Sequence, residues 1–570
     1  VRGSLSGGCA VVAVVGGLLA GCTNAPPPPL VTSEVVRTQP SSKPDTGEAV
    51  VGVDSVQGGY NPHKLADQST VTTALAQAVL PSVFRPGPDG ALRLDRTLMT
   101  SAEVSSAEPY TVVYRVRPEA AWSDSAPIAA EDFVYLWQQL REAPGSIDGA
   151  GYRLISNISA RDSGREVTVT FAKPYPGWRS LFANLLPAHL LKDIPGGWAN
   201  ALAENYPVAG GPFSVRSLDR DRGEVVLERN DRYWATPAPL DRVVLRRGDL
   251  GTVTGALRTG HDQLALLRLD AEGLATVRAL EPDVTTTQVP RAAVATVLLR
   301  PVGTAMADQR VRAAVAALLD RRALVAAGTG GGPSATALAD AQVLAPSAPG
   351  YRATLPAGQF AAVDAARSAQ LLTEAGYAKG PDGVWAFGGA PLELVIAAPQ
   401  GREDYLDTAR ELQRQLAAGG VKATLLTPDA EQLYGELLAQ EPATGGTAPG
   451  QRVDVVVAPQ PAGGDPASLP DTRFGCGTAS GDGSVPAVVN PAAFCDPGLQ
   501  QTLDGALTGA TPLGDALAVL EPALWSRLVA IPLYQEVDTL VVRREMTGVS
   551  AGPPFAGPFA GSPGWQRAGG

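Results

Sequence analysis

The sequence predicts an α/β fold with more than one core, on three observations. At 570 residues the chain is too long for one ordinary domain, and units of about 150 residues give roughly three to four. Its first half carries short β-branched or alternating runs. From about residue 290 onward, amphipathic helices alternate with apolar strands, the order that lays helices on a sheet.

The composition, 45% hydrophobic and 18% charged, is that of an ordinary globular protein. A formal net charge of -11 argues against a nucleic-acid partner, because phosphate backbones are bound by Lys and Arg. Arg2 followed by the apolar run Ala10 to Ala20 reads as a signal peptide over 1–22, too short for the roughly 20 residues that cross a bilayer. Leu19-Ala20-Gly21-Cys22 resembles the bacterial lipobox, which makes Cys22 the lipidation site; the alternative is an ordinary signal peptide with an incidental Cys. Residues 23–48, with Pro26 to Pro29 in a row, cannot bury enough apolar surface to order themselves and read as a stalk. The expected location is extracytoplasmic, held to the outer face of the cell membrane by acyl chains. Cys476 and Cys495 are then the thiols left in the body, and an oxidising compartment favours one disulfide over two free thiols. Without nearby His they fall short of a zinc site.

Along the body, Ala49 to Asp54 reads as a buried strand, broken by Gly58-Gly59-Tyr60-Asn61-Pro62. Thr111 to Arg117 and Glu166 to Phe171 alternate as half-buried strands, and Phe133, Leu136, Trp137 and Leu140 give the helix between them an apolar face. Val225 to Glu228 and Arg242 to Leu245 are further strands. Asp308 is placed to cap a helix with Val311, Ala314, Val315, Leu318 and Leu319 inward and Gly328 at its end. Asp364 to Ala375 closes at Gly376, and Arg402 to Ala418 closes at Gly419. Strands Leu392 to Ala397, Val421 to Leu425 and Asp454 to Ala458 accompany the last helix.

Catalytic patterns are missing. His63, His189 and His261 lie apart with no metal-binding spacing, and neither a Gly-x-Ser-x-Gly elbow nor a phosphate loop occurs. Glu131-Asp132 and Glu403-Asp404 read as acids favoured at helix N-termini. No enzyme activity, metal or cofactor is expected.

Tyr114-Arg115-Val116-Arg117-Pro118, Trp122-Ser123-Asp124 and Ala129-Ala130-Glu131-Asp132-Phe133 stand in the order of a signature of the family 5, peptide and nickel class of solute-binding proteins of ABC importers. Asp308-Gln309-Arg310-Val311-Arg312 with Leu319-Asp320-Arg321, and Leu371-Leu372-Thr373-Glu374-Ala375-Gly376-Tyr377, resemble the same family. The resemblance runs from about residue 50 to 540 and implies a two-lobed periplasmic-binding-protein type II fold with an inserted third subdomain. Carried onto this chain, lobe I is 49–75, 206–290 and 530–570, the insert 76–205, and lobe II 291–529. It further implies a monomer that closes on a small-molecule, peptide or glycolipid ligand, with an ABC permease or envelope-biosynthesis proteins as partners. In the peptide-binding branch a Trp and an Asp precede an (Asp/Glu)-Pro pair and hold the ligand. Here Pro459 to Gly464 precede Asp465-Pro466 with neither residue, which disfavours free peptide.

Gly59 to His63, Pro174 to Arg179 and Leu186 to His189 resemble a mycobacterial branch of the family linked to phosphatidylinositol mannoside and lipoarabinomannan synthesis. The alternative role is therefore a non-transport regulator of that pathway. The ligand-binding residues expected at the cleft edges are Tyr60, Asn61, Trp178, Arg300, Gln460 and Phe555, with Arg300 either facing an anionic group or ending a strand in solvent. Gly552 to Phe559 is turn-rich, either a cleft lip or a surface loop.

Overall fold

Fourteen strands carry the architecture, named here in chain order. They are β1 (Glu48–Val53), β2 (Met99–Ala107), β3 (Tyr110–Val116), β4 (Ile155–Arg161), β5 (Glu166–Phe171), β6 (Phe213–Asp219) and β7 (Glu224–Arg229). After them come β8 (Arg242–Arg247), β9 (Leu264–Leu267), β10 (Val284–Leu299), β11 (Glu393–Ala397), β12 (Lys422–Leu426), β13 (Val455–Pro461) and β14 (Ala530–Arg543). The computed structural model describes residues 47–143, 145–439, 452–476 and 490–568; the expected signal peptide, Cys22 and the expected stalk up to residue 46 lie outside the described residues.

Ten of these strands form one sheet in the order β12-β11-β13-β10-β14-β9-β1-β8-β7-β6. At its middle, β10 and β14 run antiparallel, Val284 opposite Arg543 and Leu298 opposite Ala530. On one side β1 pairs in parallel with β8 and β9; on the other β11 pairs in parallel with β12 and β13. This is a two-lobed α/β fold in which two long strands cross between the lobes. A register shift between Pro290 and Val294 lifts the centre of β10 off the ladder, and such bulges re-aim side chains. A separate four-stranded sheet, β2-β3-β5-β4, forms the insert.

The family signature is a packing device. Asp132, in the first turn of the helix Ala130–Glu142, accepts hydrogen bonds from the Trp122 indole N–H at 3.2 Å, Ala129 N–H at 3.1 Å and Ala188 N–H at 2.9 Å. Burial nevertheless pushes its carboxyl up to about 6. Trp122, Tyr114, Phe133 and Trp178 belong to one continuous core shared by the insert and the first lobe.

In the second lobe the single helix expected after Asp308 is two. Asp308 caps Gln309–Ala317, and Asp320 caps Arg321–Thr329 by accepting from Arg322 and Ala323 N–H. The break lets Arg321 donate to the carbonyls of Pro532 at 2.8 Å and Leu533 at 3.1 Å, tying the second helix to β14. Gly328 is therefore inside a helix and Gly330 ends it; a Cβ on Gly328 would collide with the Thr408 and Tyr534 hydroxyls. The helices Ala365–Glu374 and Glu403–Ala418 close at Gly376 and Gly419 as expected.

Cys476 and Cys495 are disulfide-bonded, 19 positions apart with their Cα atoms 4.6 Å from each other. Opening a loop of this size frees the unfolded chain, so reduction should cost about 3 kcal/mol. Urea melts with and without reductant measure the difference, and superimposable curves would contradict it.

Candidate functional site

Where β10 and β14 cross, both lobes and the insert wall a cavity of ≈ 370 Å³. Its lining draws on the bulge of β10, Arg402 from the second lobe, the loop around Asn184 in the insert, and Pro554 to Phe559 near the C-terminus. Asp148, Asn184 and Phe555, all on the lining, hold positive φ angles of 56°, 50° and 64°. Non-glycine residues pay for that conformation, and such strain gathers at functional sites.

The cavity floor is an ion network. A fully buried strand such as β14 ordinarily reads as a continuous apolar run. Here Glu536 and Asp538, two positions apart and thus on one face, are almost completely buried in it. Glu536 meets Arg402 at 2.7 Å, Arg268 at 3.3 Å and Arg291 at 3.6 Å, and accepts a hydrogen bond from the Tyr405 hydroxyl. Asp538 meets Arg291 at 3.2 Å and accepts from the Thr70 hydroxyl at 2.9 Å. Asp404 meets Arg402 at 2.9 Å and Arg268 at 3.3 Å. Burial pushes the Glu536 carboxyl up, but Arg402, Arg268 and Arg291 outweigh it and hold it far below the usual carboxylate range. Burial and Arg402 work against the Arg268 charge, yet Glu536, Asp404 and Asp538 raise it above its ordinary value. Arg268 follows β9 while Asp404 begins a helix of the second lobe, so the network braces one lobe against the other.

The cleft rim is also stitched. Lys64 reaches Glu431 at 2.6 Å, Arg153 reaches Asp471 at 2.7 Å, and the Tyr175 hydroxyl donates to Asp465 at 3.1 Å. The Ser468 hydroxyl donates to Asp148 at 2.5 Å.

Of the residues expected to bind ligand, Phe555 lines this cavity. The turn-rich Gly552 to Phe559 segment thus supplies cavity wall from Pro554 on. Tyr60, Asn61, Trp178 and Arg300 lie outside the lining. The Tyr60 hydroxyl donates to Val56 O at 2.5 Å, and Asn61 is buried and accepts from His63 N–H at 3.0 Å. Trp178 packs edge-on against Phe84 and Tyr114. Arg300 is buried and donates to the carbonyls of Pro491, Val453 and Leu438, so it is not a strand-end Arg in solvent; burial lowers its pKa to about 10. Gln460 lines a second, smaller cavity of ≈ 40 Å³ beside Arg473. Sequence reasoning missed Arg268, Arg291, Arg402, Glu536 and Asp538. The signal was present for the last two: a pair of acids at strand period within an apolar run. Among the described residues, no group of three or more His, Cys, Asp or Glu is placed to hold a metal, and no helix is long and apolar enough to cross a membrane.

A cavity walled from two lobes at their crossing strands is the layout of a solute-binding fold. The chain belongs to the bacterial extracellular solute-binding proteins, family 5, whose model matches residues 95–470. It is 34% identical, over 95% of its length and 94% of the relative's, to the "Probable monoacyl phosphatidylinositol tetramannoside-binding protein LpqW" of Mycobacterium tuberculosis. Among solved structures it is similar to the periplasmic EDTA-binding protein EppA, at 25% identity and TM-score 0.70, covering 94% of this chain and 100% of that one. It is likewise similar in fold to the oligopeptide-binding protein AppA from Bacillus subtilis in complex with a nonapeptide, at 16% identity and TM-score 0.72, covering 92% and 100%.

Proposed function

We propose that this protein is a membrane-anchored, extracytoplasmic solute-binding lipoprotein, lipidated at Cys22, that closes two lobes on the polar head of a glycolipid, and that it is not an enzyme. The observation that carries the reading is the cavity at the crossing strands, walled from both lobes and floored by an ion network that spans them. The lobe limits of this proposal are those expected from the sequence, and the sheet order on either side of β10 and β14 supports them. A volume of ≈ 370 Å³ sits at the small end of ligand pockets, about 300–1,000 Å³, and suits one or two sugar-sized units rather than acyl chains. Pro459, Pro461, Gly463 and Gly464 form one wall and offer no side chain to pair with a peptide amine, which favours a polyol head over free peptide. The name of the 34% identical relative points the same way.

The test is thermal shift and native mass spectrometry of the purified protein with phosphatidylinositol mannoside head groups and with short peptides. A ligand of the native state at about 100 times its Kd adds about 2.7 kcal/mol of stability. The expected result is stabilisation by the mannosides. Stabilisation by peptides alone would make this a peptide receptor and overturn the ligand assignment. The same branch-specific segments favour a second reading, regulation of mannoside synthesis without transport; unchanged phosphatidylinositol mannoside and lipoarabinomannan profiles in a deletion strain would count against it.

A further inference from the structure

The charges on the cavity wall are largely cancelled by their neighbours. Arg85 is paired with Asp95 at 2.8 Å, and Arg291 and Arg402 belong to the carboxylate network below. Burial pushes the His63 imidazole down to about 4, so that this ring is neutral at physiological pH. Arg179 differs. It lines the same cavity, is exposed, and among the described residues has no hydrogen-bond or ion-pair partner.

Its position is built. The guanidinium lies over the Trp178 indole, 4.5 Å from the ring centroid. Trp178 is buried, with Phe84 edge-on at 5.4 Å and Tyr114 edge-on at 6.0 Å, so the platform is fixed by the core. Stacking uses the face of a guanidinium and leaves the N–H donors on its edge free. Val83 N–H donates to Phe182 O at 3.2 Å and Leu185 N–H to Pro81 O at 2.8 Å, which ties the Arg179 segment to the stretch that carries Phe84 and Arg85. On this wall the side-chain amide nitrogens of Gln77 and Asn184 also make no hydrogen bond among the described residues. Among the described residues, a free cation and two amide donors without a partner thus stand on a wall whose own carboxylate, Asp148, has no ion-pair partner and is held by the Ser468 hydroxyl at 2.5 Å.

We propose that Arg179 is the oxyanion-recognition residue of the cavity, receiving a phosphate ester or carboxylate of the ligand on its open edge. The planar fork matches both groups, and charge-assisted bonds of this kind are the strong ones. The inference rests on the receptor reading for the use of the cavity and adds to it a negative charge on the ligand. It also gives Trp178 a role at one remove: the indole positions the cation without touching the ligand.

Calorimetry and thermal shift with glycerol 3-phosphate and glycerate, against glycerol as the uncharged twin, test it on the wild type, R179Q and R179K. Both anions, or one of them, should bind the wild type better than glycerol does. R179Q should weaken the anions about tenfold to a hundredfold, the worth of hydrogen bonds to a charged group, and leave glycerol unchanged. R179K should restore part of the loss for the phosphate. A response to glycerol 3-phosphate alone names a phosphate ester, and a response to glycerate alone names a carboxylate. Equal anion affinity in wild type and R179Q, or no anion binding by the wild type, overturns the proposal. Because Arg179 is exposed and its stacking on Trp178 contributes little to stability, the unliganded melting point should move only slightly in either variant. Mannoside head-group binding that survives while the anions fail would remove this inference and leave the receptor reading standing.

Discussion

Replacing Glu536 by glutamine should lower stability by about 3–5 kcal/mol, the cost of removing one partner from a buried ion pair. The carboxylate stands between Arg402, Arg268 and Arg291. With it neutralised, three half-buried cations share Asp404 and Asp538, and only the solvent that reaches them from the cavity offsets the excess positive charge. Equilibrium urea unfolding measures the loss, and a change below about 1 kcal/mol, the worth of an exposed pair, would show that solvent screens the network. The double variant E536Q/R291Q should lose less than the sum of the two single losses, because neighbours in one network are not additive. The acid limb has a definite sign. The folded carboxyl is held below its ordinary value of 4.5, so its contribution is present above that pH and drains as pH falls below it. Since the network also joins the lobes, E536Q should weaken ligand retention as well as stability.

Asp148 should produce the opposite pH dependence. Burial, reinforced by the nearby Asp465, pushes its carboxyl up to about 7 from 3.8, against the Ser468 hydroxyl and Arg153, which favour the ion. Tyr175 and Asp471 complete the charged and titratable groups of this contact between insert and second lobe. Folding therefore takes up a proton at Asp148 between those two values. Its stabilising share is full below pH 3.8 and is lost as pH rises through about 7. D148N should match the wild type near pH 4, exceed it in melting point at pH 8, and flatten the profile between. Asn is suited to the site, because it tolerates the left-handed backbone at φ 56° and keeps an acceptor for Ser468. A D148N profile parallel to the wild type from pH 4 to 8 would contradict the assignment. Arg153, placed beside the carboxylate, should steepen the wild-type profile when changed to methionine.

Much of the scaffold is legible locally. Asp308 and Asp364 each accept from a backbone N–H group two or three residues ahead, which is why these helix starts in the second lobe can be read from sequence. Gly376 and Gly419 mark the ends by the same logic. The split between the two helices at 318–320 escapes that reading, because apolar periodicity continues through it. It is decided by Arg321, whose guanidinium needs the carbonyls of a strand more than 200 positions away. The aromatic residues mislead for a related reason. Trp178 and Tyr60 are large and adjoin turn signals, yet both fill core, and burial of an aromatic ring is the commoner outcome.

The α/β class, the helix and strand positions that depend on neighbours in the chain, the expectation that Cys476 pairs with Cys495 in an oxidising compartment, and membership of the family through its ordered motifs are all written in the sequence. The tertiary structure alone decided which polar residues share a cavity. Arg268, Asp404 and Glu536 are separated by more than 130 positions at each step, and their charges are tolerable in the interior only because folding brings them within 3.3 Å. Periodicity and capping are local interactions that leave a trace in neighbouring residues. Charge compensation and cavity walls are set by distances through space, and those exist only once the two lobes have met.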